Sequence, residues 1–351
     1  MLSAPPTTST RPASSVQRAR RTRRLTIGLV VCFLVLVVVC CLSLAIGSRS
    51  IPLSTVWRAF TDYDGSRDHL IIRSLREPRT IIGVMAGTCL GLSGAVMQGL
   101  SHNPLADPGV LGIDAGAALA VVIGIHEFGV TTASGFIWFA FAGAAVASVL
   151  VYGLGSMGRH SAAPVRLALA GMATAAVFTA FTTSILLTDN QTLDQFRFWV
   201  VGSLAGRDMS VVRDIAPFAL IATVLAIATA RPLNTLALGE DSARSLGASI
   251  TRSRFICSVA IVLSAGTAVA ACGPIGFIGL TVPHIVRHWT GPEHKWLLPY
   301  TAVVAPILLL SADIIGRVID RPSEIQVGII TALFGAPFFI AVARRTKLSG
   351  T

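Results

Sequence analysis

The chain has 351 residues, 53% of them hydrophobic and only 13% charged, with a mean hydropathy of +0.72. A soluble chain carries about 25% charged residues, and even a large soluble core needs a charged surface, so the composition excludes a soluble domain in favour of a membrane protein. The net charge of +11 does not point to nucleic acid, because its arginines cluster at the N-terminus beside an apolar run, without aromatic-basic interleaving.

Residues 1–24 are rich in Ser, Thr, Pro, Ala and Arg and have little to bury, which predicts a disordered basic tail. Six arginines lie in it (Arg11, Arg18, Arg20, Arg21, Arg23 and Arg24), a pattern suited to an anionic lipid surface. A charge-free apolar stretch of 23 residues follows at 25–47, enough to cross a hydrocarbon core of about 30 Å. Signal-peptide cores run only about 7–15 residues, so a retained first span is expected. Further spans are expected at 80–100, 109–125, 135–156, 164–187 and 215–230. After a polar interval come 255–272, 273–286, 297–316 and 325–343. The eighth segment is only about four turns long and rich in Gly and Pro, as a bent or partial span surrounded by protein would be.

Local punctuation adds detail. Gly83, Gly87 and Gly91 recur at four-residue spacing, with Gly94 nearly on the same face, and such stripes let helices in lipid approach closely. Ser323 and Gln326 have the spacing of a capping box at the head of the last span. Between the sixth and seventh spans, residues 239–247 read as one short helix. Glu240 and Asp241 occupy its first turn, Arg244 lies near its end, and Gly247 stops it, in accord with the helix dipole and C-cap preferences. Leu238, Ala243 and Leu246 are expected to form its apolar side. Spacing alone leaves two readings open, a docking surface and a plain interfacial linker.

Ten spans place both termini on one side of the membrane. That side gathers 17 of the 28 Lys and Arg residues and only 5 of the 17 acids, which predicts cytoplasmic termini.

The chemistry-bearing residues are sparse. Cys32, Cys40, Cys41, Cys89, Cys257 and Cys272 all lie in apolar segments, with neither a CxxC pair nor a His at metal-ligand spacing, and are read as buried packing groups. There is no Walker A pattern, HExxH or GxSxG. His126, His284 and His288 fall at span ends and are read as interfacial rather than as a metal site. Asp114, Arg166 and Asp313 are the ionisable residues nearest to the spans, and each sits near a segment end. Ion-coupled carriers place such groups within the membrane, so energy for uphill transport is expected from a partner. An ion-coupled secondary transporter is the alternative, and would need an intramembrane carboxylate whose neutralisation stops transport. An integral-membrane enzyme would need a polar catalytic cluster, and the sequence offers none.

One ordered set of motifs is more specific. Arg76-Glu77-Pro78-Arg79 leads into Gly87-Thr88-Cys89-Leu90-Gly91-Leu92-Ser93-Gly94-Ala95-Val96-Met97-Gln98, followed by Asn103-Pro104-Leu105-Ala106-Asp107-Pro108 and Leu111-Gly112. Later come Leu238-Gly239 to Leu246-Gly247, Gly273-Pro274-Ile275-Gly276-Phe277-Ile278-Gly279-Leu280, Val282-Pro283-His284, Ala312-Asp313, Arg317 and Gly335-Ala336-Pro337-Phe338-Phe339. Over about residues 25–345 the chain resembles the FecCD family, the BtuC-like permeases of ABC importers for ferric siderophores, haem and cobalamin.

The resemblance implies an all-α bundle of ten transmembrane helices with the type II importer fold, residues 25–345, flanked by the basic tail and a short C-terminal tail at 346–351. It implies a bacterial plasma membrane location and a pathway shared with a second permease, identical or paralogous. Two ABC ATPase subunits would bind below and an extracytoplasmic solute-binding protein above, with no cofactor and no ATPase site in this chain. It further implies that Leu238, Gly239, Glu240, Asp241, Ala243, Arg244, Leu246 and Gly247 form the helix that couples to the ATPase. Arg76, Arg79 and Arg317 would receive glutamates of the docking protein, a task suited to the bidentate arginine fork. Glu77 replaces the family's usual apolar residue between the first two and is expected to compete as an internal partner. The expected cargo class, a ferric siderophore or similar chelate, follows from the family alone.

Overall fold

The computed structural model describes residues 15–156 and 164–348, and among these every regular element is helical. Helix α1 (Ser15–Ala45) contains the first apolar stretch and much of the basic segment before it. Residues 15–24, expected to be disordered, are therefore helical; Ala and Arg are good helix formers, and extending an existing helix avoids the cost of nucleation. Residues 1–14 lie outside the described part. Two short helices, α2 (Leu53–Thr61) and α3 (Arg67–Ile71), and a π-helical turn (Ile72–Arg76) lead into α4 (Glu77–Ser101). The chain is helical without interruption from residue 67 to 101, and Pro78, which has no N–H to donate, sits just after the π-helical turn.

A 3₁₀ turn (Pro108–Leu111) and Gly112, at φ +70°, precede α5 (Ile113–Phe128). Next come α6 (Ala133–Ser156), α7 (Pro164–Thr188), α8 (Asn190–Val200) and α9 (Met209–Ala228). The short helices α10 (Ala230–Leu236) and α11 (Glu240–Ser245) connect to α12 (Ile250–Cys272). Helices α13 (Ile278–Thr290), α14 (His294–Ile319) and α15 (Val327–Leu348) complete the described chain. Each of the ten apolar segments corresponds to a helix. Seven described helices are long and apolar enough to cross a membrane; α5, α13 and the apolar part of α15 are shorter.

Helix α4 forms the centre. Every residue from Cys89 to Leu100 is buried, the pattern of a helix enclosed on all sides. Its glycines meet α14 at close range: Gly83 faces Leu310, Gly87 faces the Pro306 backbone, and Gly91 faces Ala305 and Thr301. Gly94 lies against the Gly279 carbonyl of α13. The expected small-residue stripe is thus the seam between α4 and its two neighbours, where dispersion contacts and close backbone approach replace the hydrophobic effect.

The eighth segment is a partial span, as its glycines and prolines suggest. Residues 273–277 are not helical, and α13 has 13 residues. The start of the break packs against the residues that follow α8: Ser203 N–H donates to the Cys272 carbonyl at 2.8 Å, and Gly273 lies against the Trp199 carbonyl, while Gly276 is open. The last helix begins later than its expected capping box. Ser323 and Gln326 lie outside α15 and do not cap each other. Ile325 N–H instead donates to the Gly316 carbonyl at 3.0 Å, tying the non-helical residues 324–326 to α14. Helix α15 also continues three residues beyond the expected boundary at residue 345.

Candidate functional site

The bundle has two ends, and the expected functional residues divide between them. The end that holds Arg21, His102 and α11 is here the near end; the end that holds Arg76 and Arg317 is the far end.

At the far end the last carbonyls of α1 have no helical partner, as at any helix C-terminus, and cations are favoured there. Two arginines from other elements supply the donors. Arg76 donates through Nη1 to the Leu44 and Ala45 carbonyls, each at 2.8 Å, and through Nη2 to the Arg49 carbonyl. Arg317 donates through Nη1 to the carbonyls of Ser43, at 2.8 Å, and Ile46, at 3.0 Å. Its Nη2 reaches the Ser43 hydroxyl and Asp313 Oδ2, both at 2.7 Å. Arg79 holds Asp313 through Nε and Nη2, the latter at 2.8 Å, and Glu324 through Nη1 at 2.6 Å. Asp313, fully buried, therefore bridges Arg79 and Arg317.

The three expected docking arginines are thus brought together, although Arg76 and Arg79 do not act as one fork. Arg76 turns to α1 and Arg79 to α14. The carboxylates that meet Arg79 are Asp313 and Glu324 rather than Glu77. All three arginines and Glu324 line one pocket of about 220 Å³, with Gly47, Ser48, Ala205 and Gly206 among its other walls. With all side chains ionised, three cations face two acids, leaving one positive charge in excess. Ser43 and Glu324 were not singled out in the sequence. The i,i+4 spacing of Asp313 and Arg317 was the readable signal for the buried pair.

At the near end, α11 has the limits its sequence predicts. Gly239 at φ +92° and Gly247 at φ +78° bound it in conformations that favour glycine. Glu240 accepts from Arg244 at 3.4 Å and from Arg254 of α12 at 2.5 Å. The expected apolar side is split. Ala243 is fully buried, whereas Leu238 and Leu246 are 60% and 68% exposed. The alanine seats the helix and the leucines point away from the chain. Helix α10, which carries α11, is fastened to the bundle: Asn234 Oδ1 accepts from His294 N–H at 3.0 Å and lies 2.9 Å from its Nδ1, and His102 Nε2 is 3.3 Å from the Leu236 carbonyl. Residues 102 and 294 adjoin the near ends of α4 and α14. One tightly packed helix pair therefore joins the two candidate sites.

Other residues raised by the sequence lie apart. His126 Nδ1 is 3.2 Å from Asp189, and the Thr192 and His126 hydrogen bonds hold the Asp189 carboxyl below its usual range. Asp114 lies in the first turn of α5, Arg166 in that of α7, and the His284 ring meets Phe338 edge-on. Among the described residues, no group of three or more His, Cys, Asp and Glu is placed to hold a metal ion.

Three comparisons bear on this arrangement. The model of the FecCD transport family matches residues 35–345. The ferric enterobactin transport system permease protein FepD of Escherichia coli is 45% identical, over 90% of this chain and 95% of its own length. The Fe(3+)-citrate import system permease protein YfmD of Bacillus subtilis is 39% identical over 87% and 91%. The hemin transport system permease protein HmuU of Yersinia pestis is 36% identical over 90% and 94%. A solved inward-facing conformation of a metal-chelate type ABC transporter superposes with a TM-score of 0.79 at 27% identity, covering 90% of this chain and 98% of its own. With a bundle built on the α4 glycine seam and a family match across nearly all of the membrane region, this chain belongs to the FecCD transport family.

Proposed function

We infer that the chain is the membrane-spanning permease subunit of an ABC importer for an iron chelate. Ten segments cross the bacterial plasma membrane, with α5, α13 and α15 as the short members and both termini in the cytoplasm. A second permease, identical or paralogous, completes the pathway. The chain has no ATPase site of its own, and two partner ATPases supply the energy. A ferric siderophore is the preferred cargo class, supported by relatives whose names specify ferric enterobactin and Fe(3+)-citrate.

The observation that carries the reading is α11: a fastened helix, seated by one alanine, with two leucines aimed outward. Exposed apolar groups at a polar surface favour a partner protein. In this reading the ATPases close on nucleotide, α11 moves with them, and α10 conveys the motion to α4 and α14. At the far end, a carboxylate of the solute-binding protein displaces Glu324 from Arg79 and enters the positively charged pocket. A conformational change of this kind is driven only by partners that bind the two states differently. The test is uptake of a radiolabelled ferric siderophore into proteoliposomes holding the complete transporter. Replacing residues 239–247 with a Gly/Ser linker is expected to abolish ATP-driven uptake while the permease still binds the solute-binding protein. Unchanged uptake, or uptake driven by a proton or sodium gradient without nucleotide, would remove the assignment.

A further inference from the structure

The transport reading leaves the arginines at the start of α1 unused. They belong to a single uninterrupted helix, Ser15–Ala45, so their directions follow from the helical repeat of 3.6 residues. One stripe of that helix runs through Arg20, Arg24, Ile27, Val31, Leu34 and Val38, at spacings of three and four. All six are exposed, the four apolar ones by 52–57%. Arg23 lies beside this stripe and is also exposed. The opposite face meets protein. Leu25 and Leu36 are buried, Tyr300 donates to the Leu25 carbonyl at 2.6 Å, and Arg21 donates to the Thr290 carbonyl at 3.0 Å and pairs with Glu293 at 3.8 Å.

The basic segment is therefore divided by the helix itself. Arg21 is held by the α13–α14 connection. Arg20, Arg23 and Arg24 continue the exposed apolar face of α1, and no acid among the described residues pairs with them. Their depth is set as well. From Leu25 to Ala45 the helix rises about 30 Å, the thickness of the hydrocarbon core. The three guanidinium groups then stand within about one and a half turns of its edge, at the level of lipid phosphates.

We propose that Arg20, Arg23 and Arg24 form a binding site for anionic phospholipid headgroups on the lipid-facing side of α1. Guanidinium groups match phosphate oxygens in geometry as well as charge. Free phosphate would meet the same cations but not the apolar stripe below them, and the acyl chains of a lipid meet both. The continuity of the two surfaces selects lipid over an acidic protein. The site is independent of how the chain couples to an ATPase.

The test uses the purified permease in detergent, titrated with phosphatidylglycerol, with zwitterionic phosphatidylcholine and with inorganic phosphate, and read by native mass spectrometry as bound lipid. Phosphatidylglycerol is expected to bind in preference to phosphatidylcholine. The triple variant R20Q/R23Q/R24Q is expected to weaken that binding about a hundredfold, whereas R20K/R23K/R24K, which keeps the charge and loses the planar fork, weakens it less. An unchanged elution profile and circular dichroism spectrum establish that the variants are folded. Equal binding of the two lipids, competition by millimolar phosphate alone, or full binding by the triple glutamine variant would each overturn the site. So would a triple variant that binds lipid normally but loses its ATPase partner, since the arginines would then serve protein.

Discussion

The two ends of the α4–α14 pair solve opposite electrostatic problems. At the far end Asp313 and Arg317 are almost completely withdrawn from solvent, and their groups bond to one another, to Arg79 and to the backbone of α1. At the near end the Glu240 and Arg244 side chains are 47% and 64% exposed, and water serves them whether or not they pair. Desolvated charges are stable only as a complete set, whereas solvated pairs contribute little. The far end is therefore built as a fixed structure whose excess charge faces a pocket. The near end leaves Leu238 and Leu246 exposed, and little of the fold depends on its surface side chains.

The strongest way to break this comparison is to remove one member of the buried set. Arg317→Ala leaves Asp313 with Arg79 alone and deprives the last turn of α1 of two donors. A loss of about 3–5 kcal/mol is expected for an ion pair broken in this way, measured by denaturant unfolding in mixed micelles. The double change Asp313→Leu with Arg317→Met removes both charges and should recover part of that loss, because no uncompensated charge remains. Equal losses for the single and double variants would mean that backbone capping, rather than charge pairing, dominates the site.

A smaller effect is expected midway along the pair. A Cβ at Gly94 would overlap the Gly279 carbonyl, so Gly94→Ala requires α4 and α13 to separate. Overpacking of this kind costs about 1–3 kcal/mol. Gly276, where a Cβ meets nothing within contact range, is the control, and Gly276→Ala should leave unfolding nearly unchanged. If the two variants behave alike, the helix pair is more compliant than its close packing implies.

These residues also show what was legible before the structure. The α4 seam could be read because lipid packing demands small residues at a helical repeat, and four glycines supplied it. The partial eighth span could be read for a related reason, since residues 273–279 crowd Gly273, Pro274, Gly276 and Gly279 into seven positions, more helix-weakening residues than a short segment tolerates. The pairing of the far-end arginines could not. It joins Arg79 to residues 234 and 245 positions later, and nothing local distinguishes an arginine that will cap α1 from one exposed to headgroups. The capping box failed because a tertiary bond, Ile325 to Gly316, outcompeted a local one. The apolar side expected of α11 is divided because Leu238 and Leu246 flank the six-residue helix rather than lie in it, and only Ala243 is seated in the bundle.

The finest test concerns the near end, where stability and function should separate. Glu240→Gln weakens two partly exposed ion pairs, and a change within about 1 kcal/mol is expected. Leu238→Ser with Leu246→Ser removes apolar groups that touch no core, so unfolding should shift by about 0.5 kcal/mol or less, as for ordinary surface changes. Their consequence should appear in the assembled transporter. If the leucines seat in an ATPase, the double serine variant will keep its unfolding midpoint and its affinity for the solute-binding protein, yet lose co-purifying ATPase and ATP-driven uptake together. A variant that destabilises the isolated permease would instead place these side chains within the fold. The near end would then be structural like the far end, and the contrast between them would disappear.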